Sequence, residues 1–181
     1  MKPCVIVVAT AVLSTLLAAC AGGDKGAGSS VTPRSVPPGS VPSGAPDGVK
    51  TYAGLSHEHT SDDVKYEQNP PVGGPHDPVW QPCGYYDNPI RAERGVHSME
   101  HGAVWITYQP TLPADQIAVL KSLMPGHAHL LIAPFPGIPT PVVASAWGEQ
   151  LQLPSATDPR LTQFVKFFEE GAQTPEPGAP C

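Results

Sequence analysis

The chain has 181 residues, including 24 prolines, 18 glycines and 7 histidines, and a formal charge of −6. Only 14% of its residues are charged, against about 25% in ordinary soluble domains. This much proline excludes a long coiled coil or helical bundle, an acidic chain without a Lys/Arg cluster excludes ordinary nucleic-acid binding, and four cysteines are too few for a disulfide-dense mini-protein.

Met1 and Lys2 open the chain, and residues 5–17 are apolar and uncharged. That run is too short for a permanent membrane helix, which needs about 20 residues, and fits the apolar part of a secretory signal. It ends in Leu17-Ala18-Ala19-Cys20, which resembles the lipobox of bacterial lipoproteins. The resemblance implies a signal peptide over residues 1–19, lipid on Cys20, and a protein anchored on the outer side of the cell membrane. Loss of Lys2 would leave the mature chain one unit more acidic. Such a chain is repelled by anionic lipid, so charge would not hold it to the membrane.

Residues 20–50 contain no aromatic side chain. They read as a disordered Pro/Gly/Ser tether with a span of about 30 Å. Residues 51–181 are left as one folded domain. With Cys4 in the signal and Cys20 lipidated, Cys83 and Cys181 remain. Two thiols in an exported protein pair most simply with each other, and no C-x-x-C argues for a catalytic dithiol. The bond would staple the C-terminal segment to the body of the domain.

Within the domain, residues 56–96 are rich in His, Pro, Gly and Tyr and read as ordered loop, because proline blocks helix and central strand alike. Residues 102–108, Gly-Ala-Val-Trp-Ile-Thr-Tyr, read as a strand. Leu112-Pro113 starts a helix in which Ile117, Leu120, Leu123 and Met124 recur at helical spacing, up to Pro125-Gly126. Residues 127–135 and 141–147 read as two further strands. Asp158-Pro159 opens a last helix, with Leu161, Phe164, Val165 and Phe168 on one face and Gly171 after it. The order predicts an α+β fold: a loop-rich half, then a β-α-β-β-α unit with two helices on one face of a small sheet.

Six of the seven histidines fall in pairs, His57/His59, His97/His101 and His127/His129, and His76 stands alone. Imidazole is the commonest side-chain metal ligand. His97 and His101 are four apart and share a face in either a helix or a strand. In a strand, Met99 joins them as an auxiliary ligand; in a helix, Glu100 lies beside His97 and orients its ring. The run His97-Ser98-Met99-Glu100-His101 matches the inverted zinc-protease motif, but a strand-like run follows at once where that motif needs a sustained helix. The bland alternatives are solvated His57 and His59, edge residues at His127 and His129, and a hydrogen-bonded pair at His97 and His101. Tyr52, Tyr66, Tyr85, Tyr86, Trp80 and Trp147 read as packing residues.

Four stretches then carry a resemblance. They are Pro70-Pro71-Val72-Gly73-Gly74-Pro75-His76, Cys83-Gly84-Tyr85-Tyr86, Val96-His97-Ser98-Met99-Glu100-His101-Gly102-Ala103-Val104 and Ser145-Ala146-Trp147-Gly148. From about His59 onward the chain resembles the DUF3105 family. The resemblance implies that His59, His76, His97, Glu100 and His101 belong to a shared pattern, with Met99 replacing a leucine; it supplies no activity. The leading expectation is a lipid-anchored protein that binds copper, or next zinc, through His59, His76, His97 and His101, for metal capture, buffering or delivery. Its partners would be the membrane, the metal ion and an envelope protein, with no nucleic acid. Two other readings stand beside it. One is a metal-dependent hydrolase or oxidase with Glu100 as acid/base. The other is a non-catalytic envelope module whose histidines tie down the loops.

Overall fold

The computed structural model describes residues 41–181. The expected signal peptide, Cys20 and most of the tether lie outside the described residues. The fold is α+β: a six-stranded mixed sheet with three helices. In chain order the elements are β1 (Lys50–Thr51), β2 (Gly84–Tyr85), α1 (Ala92–Glu100), β3 (Val104–Tyr108), α2 (Ala114–Ser122), β4 (Leu130–Pro134), β5 (Val142–Ala146), β6 (Glu149–Leu153) and α3 (Pro159–Phe168). The sheet order is β1-β6-β5-β3-β4-β2. Strand β3 pairs parallel with β4 and antiparallel with β5, which returns antiparallel into β6. Among the described residues no helix is long and apolar enough to cross a membrane.

Period-two alternation divides the sheet into two covered faces. Val104, Ile106, Leu130, Ile132, Val142, Ala144, Leu151 and Leu153 point to one face. There they meet Leu120 of α2 and Leu161, Phe164, Val165 and Phe168 of α3. Both helices therefore lie on one face, as the sequence predicts. Helix α3 starts where Asp158 accepts from the Arg160 N–H with Pro159 in the first turn, satisfying a donor the helix leaves free.

The opposite face carries Trp105 and Leu131, covered by Val96 and Met99 of α1 and by Trp147. Helix α1 lies across the boundary of the stretch read as loop. Its nine residues contain no proline, and Val96 and Met99 at i, i+3 supply its buried stripe. Gly95 sits mid-helix for a packing reason: a Cβ there would stand 2.7 Å from the Trp105 ring. Strand β6 also went unread. It follows β5 through the two-residue turn Trp147-Gly148, with Gly148 at φ +72°.

The folded domain begins before residue 51. Val49 is buried, and Lys50–Thr51 pairs with β6. The end of the expected tether therefore belongs to the domain. An edge strand of two residues is held by backbone hydrogen bonds, and that needs no aromatic residue.

Candidate metal centre

Helix α1 presents two faces. Val96 and Met99 enter the core, while His97 and Glu100, three apart, turn toward the loops. The loops meet them through one isolated parallel bridge, His59 with His76. His76 N–H donates to Glu58 O at 2.9 Å and Thr60 N–H to His76 O at 2.7 Å. A single backbone contact thus sets both loop histidines against α1. His59, His76, His97 and Glu100 each offer one ligand atom, all within 4.8 Å of one another. His76, His97 and Glu100 are buried, and the His59 side chain is 47% exposed. The set has one wet side.

The protonation pattern follows from the second nitrogen of each ring. A carbonyl only accepts, so a ring nitrogen bonded to one must carry the proton. His76 Nδ1 donates to Gly74 O at 2.8 Å, where Gly74 at φ +113° turns that carbonyl toward the ring. His97 Nδ1 donates to Asp77 O at 2.6 Å, and His101 Nδ1 to Pro180 O at 2.7 Å. With Nδ1 as the donor, a neutral ring leaves Nε2 as a bare lone pair, which is the form that ligates metals. Burial, with His101, His76 and His59 nearby, holds His97 below its ordinary value against the opposing pull of the Asp77 carbonyl.

Those lone pairs face acceptors. His76 Nε2 lies 2.8 Å from Glu100 Oε2, yet both atoms are buried and neither has a properly directed hydrogen bond. His59 Nε2 lies 3.7 Å from the same oxygen. His97 Nε2 and His101 Nε2 are 2.9 Å apart. Two lone pairs at that distance repel unless a proton or a metal ion lies between them. Donors sharing a metal at 2.0–2.2 Å stand roughly 3 Å apart. A group of His and Glu side chains that can hold a metal ion is therefore built between α1 and the loop bridge.

The expected site residues divide as follows. His59, His76 and His97 come together. His101, the C-cap of α1, meets the group only through His97. Glu100 is not the residue that orients His97, because Asp77 O does that; Glu100 Oε2 instead faces His76 and His59. Met99 is fully buried with Val96, Trp105 and Leu131, so its thioether belongs to the core and cannot serve as an auxiliary ligand. Met124 packs on the other face of the sheet. Cys83 and Cys181 form a disulfide with Cα atoms 5.1 Å apart, so among the described residues no thiolate competes. His127 and His129 sit by the end of α3. His127 Nδ1 pairs with Glu169 Oε2, and His129 Nε2 donates to Ala179 O at 3.0 Å.

The profile of DUF3105, described as a protein of unknown function, matches residues 57–181. The chain belongs to the DUF3105 family. No curated protein and no solved structure matches it. All four residues of the histidine–glutamate group lie inside the DUF3105 match.

Two supporting residues escaped the sequence. His57, outside the expected ligand set, has its Nδ1 2.8 Å from Glu100 Oε1, and its ring stacks on Trp147 at 4.7 Å. Nothing in a polar segment marks that contact. Asp77 acts through its backbone carbonyl, which no side-chain pattern reveals. Its side chain is held by Arg91 Nη1 at 3.1 Å, and Arg91 also reaches Asp63 and Glu93. Burial opposes ionisation of Asp77, but the Val79 N–H with Arg94 and Arg91 holds it below the usual carboxylate range.

Proposed function

We propose that this chain is an exported, lipid-anchored protein that binds a divalent transition metal, Cu(II) or Zn(II), for capture, buffering or delivery at the cell surface. His59, His76, His97 and Glu100 are the ligands, with His101 as a further nitrogen donor beside His97. The observation that carries this reading is the pairing of two buried acceptors, His76 Nε2 and Glu100 Oε2, without a hydrogen bond between them. Buried polar atoms are almost always satisfied, and a cation satisfies both at once. Three imidazoles and one carboxylate suit borderline ions such as Cu(II) and Zn(II). With Met99 in the core, no soft ligand favours Cu(I). Location at the membrane rests on the lipobox-like Leu17-Ala18-Ala19-Cys20.

The half-exposed His59 gives the ion a route in and out, which suits an exchangeable cargo. The test is elemental analysis of the protein from its native envelope, with chelator-competition titration of Cu2+ and Zn2+. Stoichiometric metal is the expected result; neither ion bound at micromolar concentration sinks the proposal. One observation favours a metal-dependent hydrolase as the second reading. A cleft of about 420 Å3, lined by Tyr52, His57, Trp147, Glu149 and Gln173, adjoins Glu100 through His57. Metal-dependent ester hydrolysis lost on Glu100→Gln would support it.

A further inference from the structure

Residues 171–181 form no strand or helix, yet they are bonded to the metal-facing end of α1 at several points. Glu176 N–H donates to Glu100 O at 3.0 Å, across the backbone of a proposed ligand. Glu176 Oε2 lies 3.5 Å from His101 Nε2. Pro180 O accepts from His101 Nδ1 at 2.7 Å, and Ala179 O takes the His129 Nε2 proton at 3.0 Å. The next residue, Cys181, is bonded to Cys83. Cys83 directly precedes β2, which is fixed in the sheet by its parallel pairing with β4. The covalent tie therefore runs from the sheet edge to the residue beside the carbonyl that sets the His101 ring.

His101 is the one donor of the group whose ring is oriented from outside the α1–loop framework. His76 is held by Gly74, two residues away, and His97 by Asp77, beside His76. His101 depends on a segment 79 residues away in sequence. An irregular segment keeps one geometry only when its contacts outweigh the entropy of ordering it. The disulfide supplies what the hydrogen bonds alone do not: a fixed point one residue from Pro180. Trp80, with its ring centroid 5.3 Å from that of His101, closes the other side.

We infer that Cys83 and Cys181 are positioning residues of the metal centre: their bond holds Pro180 O on His101 Nδ1 and so presents His101 Nε2 toward the ion. This rests on the metal-binding reading and adds to it the C-terminal segment as the part that completes the donor set. Outer partners of this kind change metal affinity by about 10- to 100-fold when removed.

The test uses the full chain in detergent, Zn2+ as probe and a competing chelator as readout. Cys83→Ser with Cys181→Ser removes the bond and leaves no thiol at either position to bind metal. It is expected to weaken Zn2+ binding at least tenfold. His101→Ala should weaken it by a similar factor, and all three changes together by no more than His101→Ala alone. A serine pair within twofold of the parent overturns the inference, as does full additivity with His101→Ala. Should the serine pair unfold, the unmutated chain carries the test. Nitrogen-15 NMR of the imidazoles must then find a proton on His101 Nδ1, hydrogen-bonded to Pro180, and an unprotonated Nδ1 overturns the inference. A parent that takes up no Zn2+ defeats the metal-binding reading itself, while the NMR still judges the clamp.

Discussion

Two groups of histidines show what separates a metal centre from structural imidazole. At the end of α3, His127 is paired with Glu169, and His129 donates to Ala179 O with Glu170 Oε2 3.6 Å from its other nitrogen. Each of these rings meets a different carboxylate, Glu169 or Glu170. Between α1 and the loops, three rings give their Nδ1 protons to Gly74, Asp77 and Pro180 carbonyls. Their free nitrogens then converge on one another and on Glu100. Two of the seven histidines lie in the first region and five in the second. The convergence of ligand atoms differs: among the described residues, His59, His76, His97 and Glu100 gather within 4.8 Å of one another, and that gathering decides which region can take a cation.

The largest expected effect comes from removing ligands. His76→Ala with His97→Ala should lower Cu2+ or Zn2+ affinity by at least 100-fold in a chelator competition, which is about 2.7 kcal/mol. His127→Ala should leave affinity within twofold. Equal losses at both regions would erase the distinction. Thermal denaturation gives a second readout. Metal at 100 times its Kd should stabilise the parent by about 2.7 kcal/mol, or several degrees in Tm for a domain of this size. The shift should survive in His127→Ala and vanish in the double variant. Met99→Ala sharpens the contrast from within α1. A fully buried Met lost from the Val96, Trp105, Leu131 cluster should cost about 2–5 kcal/mol of stability, with the electron paramagnetic resonance spectrum of bound Cu2+ unchanged. A changed spectrum would return the thioether to the site.

Much of this arrangement was legible in the sequence. β-branched and aromatic runs marked β3, β4 and β5, which are buried along their whole length, and helical spacing marked α2 and α3, whose apolar residues face the sheet. Helix α1 was harder. Its apolar content is Ala92, Val96 and Met99, its middle is Gly95, and it adjoins a proline-rich stretch. Its helical form depends on Trp105, which is distant in the pattern and adjacent in the fold. The same ambiguity hid the role of Glu100. Helical spacing puts it on the His97 face, but only the His59–His76 bridge brings other imidazoles to its carboxylate. Long-range carbonyl contacts, such as Pro180 to His101, leave no trace in composition or spacing.

Glu149 carries the comparison to carboxylates and gives the smaller, pH-dependent effect. Like Glu100 it is buried, but no imidazole faces it; its one hydrogen-bond donor is the Thr51 hydroxyl at 2.8 Å. Burial pushes its carboxyl up to about 7, against the pull of Thr51. In the unfolded chain a glutamate titrates near 4.3. The folded state therefore holds the proton more tightly, and between these two values it binds more protons than the unfolded state. Linkage then requires stability to fall as pH rises from about 4.3 to about 7, and to lose nothing further from this group above that range. The full span is worth at most about 4 kcal/mol, a burial cost that a neutral side chain escapes. Glu149→Gln keeps an acceptor for Thr51 and carries no charge. It should stabilise the protein by about 1–3 kcal/mol at pH 8, change little at pH 4 and flatten the slope between. Urea denaturation at pH 4, 6 and 8 measures all three. A parent and variant that track each other across that range would mean that the Glu149 carboxylate ionises without cost. A carboxylate would then need neither an imidazole neighbour nor a metal to lie buried beside this sheet, and the burial of Glu100 would no longer argue for a cation.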